Sequence, residues 1–199
     1  MPGEPPESGQ TVEIRFHGRG GMGAVVASQI LSQAAFLEGR WVQSFPFFGV
    51  ERRGAPVTAF ARISGERIEE RMNVYEPGFV VVLDPSLLKG TAYLTGLRPG
   101  GTVVANATTA EVPWDGPVYT VPATEIALEE GLGSKSVPLV NTAMVGALAG
   151  ATHLVRLDSV LQAIDFLAPQ KKDANKRAAE KAFHAVAPAK IAAVAGRPA

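Results

Sequence analysis

The residues whose types and spacing most directly suggest chemistry are Gly18-Arg19-Gly20-Gly21-Met22-Gly23, which fit the pattern G-x-G-x-x-G. Glycines so placed allow a tight turn and let the backbone approach a pyrophosphate. Free amide N–H groups and the positive end of a following helix would attract that anion. Arg19 could add a charge from within the turn. The same glycines would equally serve a turn that only packs a helix closely against a sheet, and the motif by itself names no ligand.

A nicotinamide dinucleotide usually needs an acidic residue at the end of the second strand, about twenty residues beyond the glycines, to hold a ribose hydroxyl. That region reads Gln43-Ser44-Phe45, with no carboxylate, so an NAD site is disfavoured. Arg40 keeps an NADP-like site open. A second unusual stretch is Phe45-Pro46-Phe47-Phe48-Gly49-Val50-Glu51-Arg52-Arg53-Gly54-Ala55-Pro56, which crowds aromatic groups, two arginines and a glutamate between turn residues. Such a loop can lay an aromatic surface under a ligand or partner, and the planar fork of arginine binds phosphate or carboxylate in two places. Pairing of Glu51 with an arginine to stiffen the loop is compatible with that role.

Other groups lean toward structure. Asp84, before Pro85 at the end of an apolar run, reads as a turn residue or helix cap. His17 borders the glycine turn, but nothing pairs it with a nucleophile. The chain shows no Ser-His-Asp arrangement and no paired carboxylates at useful spacing. His17, His153 and His184 are its only histidines, and their spacing fits no zinc motif, so neither a catalytic nor a metal-binding residue is assigned. With no cysteine, the chain cannot carry a thiolate-bound iron–sulfur cluster of its own. It reads as a binder.

The elements that must hold these groups follow from periodicity. Val12–Phe16 alternates like a strand, and Ala24 to Leu37 is apolar almost all round, as in a buried helix stopped by Gly39. Arg40 to Phe45, ending at Pro46, supplies a second strand and completes a β-α-β unit. Val57 to Ile63 predicts a half-exposed strand in a hairpin or edge, with another extended piece around Ile68. Phe79-Val80-Val81-Val82-Leu83 is a β-branched run of the kind buried on both faces of a parallel sheet, and it is expected at the centre. Thr102 to Ala105 and Val118 to Val121 extend the sheet. Helices are predicted over 124–130, 139–151 and 159–167, and from Ala174 to Val186, so that the strands precede a helical end. The fold class is α/β: a Rossmann-like open, mostly parallel sheet with helices on both faces.

The 199 residues are expected to form a single domain over 11–199, after a flexible lead-in over 1–10 that is rich in Pro, Gly and Glu. Nineteen basic residues balance nineteen acidic ones, so the totals leave no electrostatic footprint for nucleic acid or an anionic membrane. No apolar run reaches the length of a membrane span, and the expected location is cytoplasmic.

Taken together, the two motifs resemble the gamma subunit of the 2-oxoacid:ferredoxin or other-acceptor oxidoreductases, the family of complexes that oxidise pyruvate, 2-ketoisovalerate, 2-oxoglutarate and arylglyoxylates. The resemblance rests on Gly18 to Gly23, on Phe45-Pro46 through Gly49 and Glu51 to Pro56, and on Arg62-Ile63-Ser64. It continues through Asp84-Pro85, Asn141, Lys171-Lys172, Asn175 and Ala182-Phe183, and so covers nearly the whole chain. The Phe47-Phe48 pair departs from the more polar loop of many relatives.

The resemblance implies an assembly with alpha, beta and ferredoxin-like delta subunits, which carry thiamine diphosphate and iron–sulfur clusters and pass electrons to ferredoxin or another acceptor. A 2-oxoacid becomes an acyl-coenzyme A, and this subunit helps to hold coenzyme A without being catalytic alone. The implied cofactor-binding set is Gly18, Arg19, Gly20, Gly21, Met22 and Gly23 of the turn, with Phe48, Glu51, Arg52 and Arg53 of the loop. Two other readings stay open: a freestanding NADP-binding Rossmann reductase, and a purely structural interaction subunit.

Overall fold

The computed structural model describes residues 11–47, 56–70, 72–168 and 170–189. The glycine turn joins strand β1 (Val12–Arg19) to helix α1 (Ala24–Leu37), and α1 leads back to β2 (Trp41–Phe47). Strand β3 (Pro56–Ser64) then lies antiparallel between β2 and β1, so the β1–α1–β2 crossover skips one place in the sheet. On the other side of β1 the chain adds β4 (Phe79–Val82), β5 (Thr102–Asn106) and β6 (Val118–Val121), each parallel to its predecessor in the sheet. The seven-stranded order is β2-β3-β1-β4-β5-β6-β7, where β7 is Ala187–Pro188. The expected open, mostly parallel α/β sheet is the observed one.

The strand residues divide between two cores as the pleat requires. Ile14, Phe16, Val81, Val104 and Val121 face a layer of all five α-helices, together with α2 (Ala123–Glu129), α3 (Asn141–Thr152), α4 (Leu157–Leu167) and α5 (Lys172–Ala185). Val80, Val82, Val103, Ala105 and Val118 face the opposite layer, where the cover is two short 3₁₀ helices, Pro85–Lys89 and Ala92–Leu94, and the Val112–Trp114 segment. This division follows from handedness. Crossovers running in opposite directions from β1 must pass over opposite faces if each is right-handed. The helix after β1 and the 3₁₀ segments after β4 do so.

Four details depart from expectation. Strand β3 is not half-exposed: Ala59 to Ser64 are all buried, because β2 and β1 flank it on either side. The extended piece around Ile68 is not a strand, because β2 already pairs with β3 along its length; the Gln43 amide instead donates to the Ile68 carbonyl at 3.4 Å. Strand β2 runs through Pro46 to Phe47, which an edge strand tolerates because its outer side needs no ladder donor. The helical end is followed by β7, which closes antiparallel on β6.

Candidate functional site

The carboxyl ends of the parallel strands form one rim. There β1 turns into the glycine loop, β4 ends before Asp84, and β5 ends at Asn106. In an open α/β sheet, ligands bind in the crevice where connections leave a strand toward opposite sides, and here that point lies between β1 and β4.

Two groups bridge those strand ends. Arg19 Nε lies 2.6 Å from Asp84 Oδ2, and the Arg19 guanidinium donates to Ser86 Oγ at 3.1 Å. Asp84 also accepts the Ser86 amide at 2.8 Å through Oδ1, so it caps the first 3₁₀ helix as its position before Pro85 predicts. The charge offered by Arg19 is therefore neutralised within the rim. Beside it, the buried Asn106 amide donates to Leu83 O at 2.7 Å and to Thr124 Oγ1 at 2.9 Å, while its oxygen accepts the Thr124 amide at 3.1 Å. That network pins the end of β5 to the start of α2. The sequence offers no sign of it beyond an asparagine after an apolar run.

The glycine loop settles part of the choice between packing and ligand approach. Gly21 (φ +96°) and Gly23 (φ +85°) take left-handed conformations that side chains rarely adopt. A Cβ on Gly21 would lie 3.1 Å from Val137, and one on Gly23 would lie 2.8 Å from the Asn141 amide nitrogen. These two glycines thus let the loop press against the segment that enters α3. Gly18 packs against Ala24 and Leu83, and Met22 is buried in the main core, so neither side chain position faces the rim.

The backbone of the loop stays available. Among the described residues, only the Met22 amide of the loop is spent inward, on Arg19 O at 3.1 Å, and the first intrahelical bond runs from Ala27 N to Gly23 O at 2.8 Å. The amides of Ala24, Val25 and Val26 precede that bond, and no side chain among the described residues caps them. The start of α1 therefore presents unpaired donors at the rim, next to Gly20 and Gly21, which are exposed.

His17, two residues before Arg19, stands on the face of the 3₁₀ helices, in a row with Phe47, Thr58 and Val82. Its Nε2 accepts from Arg15 Nε at 2.9 Å. Burial, with the Arg15 charge adding to it, pushes the imidazole down to about 3, so it is neutral near pH 7. Arg15 is itself buried and donates through Nη2 to the carbonyls of Tyr93, at 3.1 Å, and Thr95.

Phe48, Glu51, Arg52 and Arg53 lie outside the described residues. In the flanking strands, Phe45 meets Phe60 at a tilt and Phe47 meets it edge-on, with centroids 5.2 and 6.4 Å apart, and the Arg62 guanidinium sits 5.5 Å over the Phe45 ring. Strands β2 and β3 thus carry an aromatic cluster on the second face. Arg40 lies at the opposite end of β2 from the rim, where it pairs with Glu38 at 2.7 Å and donates to Leu154 O at 2.6 Å. It is committed to holding α1 against the Leu154 segment and is not placed for a 2′-phosphate. Among the described residues there is no cluster of three or more His, Asp or Glu that could hold a metal ion, and no helix is long and apolar enough to cross a membrane.

The family model for pyruvate ferredoxin/flavodoxin oxidoreductase matches residues 13–185. Pyruvate synthase subunit PorC of Methanocaldococcus jannaschii is 50% identical over 174 residues, covering 87% of this chain and 96% of that protein. The common subunit gamma of the pyruvate/ketoisovalerate oxidoreductases of Thermococcus kodakarensis is also 50% identical, over 181 residues and with the same coverage. The crystal structure of the pyruvate oxidoreductase subunit PORC from Thermotoga maritima superimposes with a TM-score of 0.77 at 37% identity, over 90% of this chain and 99% of that one. The matched region spans the rim, both faces of the sheet and all five α-helices, and the chain belongs to the pyruvate ferredoxin/flavodoxin oxidoreductase family as a gamma-type subunit.

Proposed function

We propose that this chain is the gamma subunit of a multi-subunit 2-oxoacid:acceptor oxidoreductase, dependent on thiamine diphosphate and iron–sulfur clusters, and that its glycine loop helps to hold coenzyme A. The observation that carries the ligand reading is the set of unpaired amides at the start of α1, on the rim where the strands diverge to either side. A pyrophosphate needs such donors, and a helix N-terminus supplies them together with a favourable dipole. The absence of any carboxylate at Gln43–Phe45 and the commitment of Arg40 elsewhere count against a nicotinamide dinucleotide.

Alpha, beta and ferredoxin-like delta subunits would then carry the thiamine diphosphate and the clusters, since this chain has no cysteine to ligate one. The relatives named for pyruvate and ketoisovalerate make a small 2-oxoacid the expected substrate class. Coenzyme A supplies the thiol that accepts the acyl group. The residues of this chain bind and orient: Gly20, Gly21 and the first-turn amides at the phosphates, Arg19 and Asp84 bracing the strand ends, and the loop bearing Phe48, Glu51, Arg52 and Arg53 facing the ligand or the thiamine-binding subunit.

Gly21→Val tests this in the assembled complex, because a β-branched residue is strained at φ +96° and would press on Val137. Acyl-coenzyme A formation should fall at least tenfold while the subunits still co-purify. A complex that turns over normally with Gly21→Val would refute the loop's role.

A further inference from the structure

His17 lies in β1 two residues before its end at the rim, and its hydrogen bonding is asymmetric. Arginine is always a donor, so the nitrogen that receives Arg15 Nε, Nε2, must present its lone pair. The imidazole is neutral, and its single proton is therefore on Nδ1. Nδ1 makes no hydrogen bond among the described residues. Among the described residues the one fully buried side-chain polar atom without a partner is Tyr93 Oη, so Nδ1 of the largely buried ring keeps an edge of contact with solvent. Arg15 cannot swing away to release the ring, because Nη2 is held by two backbone carbonyls, those of Tyr93 and Thr95.

We propose that His17 is a fixed hydrogen-bond donor of this rim, its Nδ1–H, set by the Arg15 bond to Nε2, donating to an acceptor oxygen of the coenzyme A bound there. The assignment rests on the coenzyme A reading above and adds a residue to it. Only an acceptor fits. With one ring nitrogen engaged by Arg15 and the other protonated, the imidazole has no lone pair left for a metal ion or for a proton taken from substrate. The amides of the loop and of the first turn of α1, and this N–H, are then all donors, while the rim's carboxylate, Asp84, is engaged by Arg19 and the Ser86 amide. Such a site selects an oxygen-rich ligand through directed hydrogen bonds more than through net charge.

Two measurements test it. In the full chain labelled with ¹⁵N-histidine, which contains only three histidines, the His17 signals should show the Nδ1-protonated neutral tautomer from pH 5 to 8 and should shift at Nδ1 when coenzyme A is added. In the assembled complex, calorimetric titration with coenzyme A should give His17→Gln an affinity within about threefold of the parent, because the amide can accept from Arg15 and still donate. His17→Phe should bind about three- to tenfold more weakly, the range expected for one hydrogen bond. Protonation at Nε2, or equal affinity of parent, Gln and Phe complexes, overturns the His17 assignment while leaving the glycine loop reading intact. A parent complex that binds no coenzyme A overturns both.

Discussion

At the residue scale, the environment that neutralises His17 also makes it a source of acid sensitivity. Its folded value of about 3 lies below the ordinary 6.5, so the folded state refuses a proton that the unfolded chain accepts. Stability from this site is fully present above pH 6.5 and is lost as pH falls from there toward 3, at up to about 1.4 kcal/mol per pH unit. His17→Gln removes the titration. Urea unfolding of the full chain between pH 7 and pH 4.5 should show a shallower loss of stability for the variant than for the parent, and parallel curves would contradict the assigned state of the ring. Asn106 gives a second residue-level expectation. Asn106→Ala strips hydrogen bonds from Leu83 O and the Thr124 amide in a site that is buried, and should cost about 2–4 kcal/mol by the same measurement. A cost under about 0.5 kcal/mol would mean that solvent reaches the end of β5.

At the scale of elements, legibility tracked the length and punctuation of each segment. Helix α1 begins and ends where the sequence places it, since Gly23 and Gly39 bracket an unbroken apolar stretch. Strand β4 is central, as its run of Val80, Val81 and Val82 requires cover on both faces. The antiparallel insertion of β3 and the two-residue β7 were not readable, because pairing partners distant in sequence decide them and a two-residue strand has no period. For the site, the glycine turn and the Asp84 cap were legible from local spacing. The Arg15–His17 bond and the anchoring role of Asn106 were not, since each depends on groups brought together by the sheet.

The small residues of α3 carry a related consequence. A Cβ on Gly146 would overlap the backbone of Ala179 in α5, so the two helices touch almost backbone to backbone. Gly146→Ala should therefore destabilise the chain, by about 1–3 kcal/mol or more, even though alanine is the better helix former. A gain in thermal stability would show that α5 can move aside at little cost.

At the scale of the whole molecule, the surface bears more large apolar groups than a lone domain needs to expose. Trp41 and Phe47 on the open edge strand β2, Met72 and Tyr75 beyond β3, and Phe166 on α4 are each about half exposed or more. Net charge offers no protection at neutral pH, since nineteen basic and nineteen acidic residues cancel. Self-repulsion vanishes near the isoelectric point of about 6.8, where apolar contacts between copies meet least opposition. The chain purified without other subunits should thus sediment as oligomers near pH 6.8, and raising the pH to 8.5 should change the distribution little, because nineteen acidic residues still face nineteen basic ones and only the histidines and the α-amino group lose protons. Trp41→Ser should shift the pH 6.8 distribution toward monomer while changing unfolding free energy by no more than about 0.5 kcal/mol, because a half-exposed side chain contributes little to the core. A parent chain that is monomeric at both pH values would show that these apolar groups are too scattered to associate on their own.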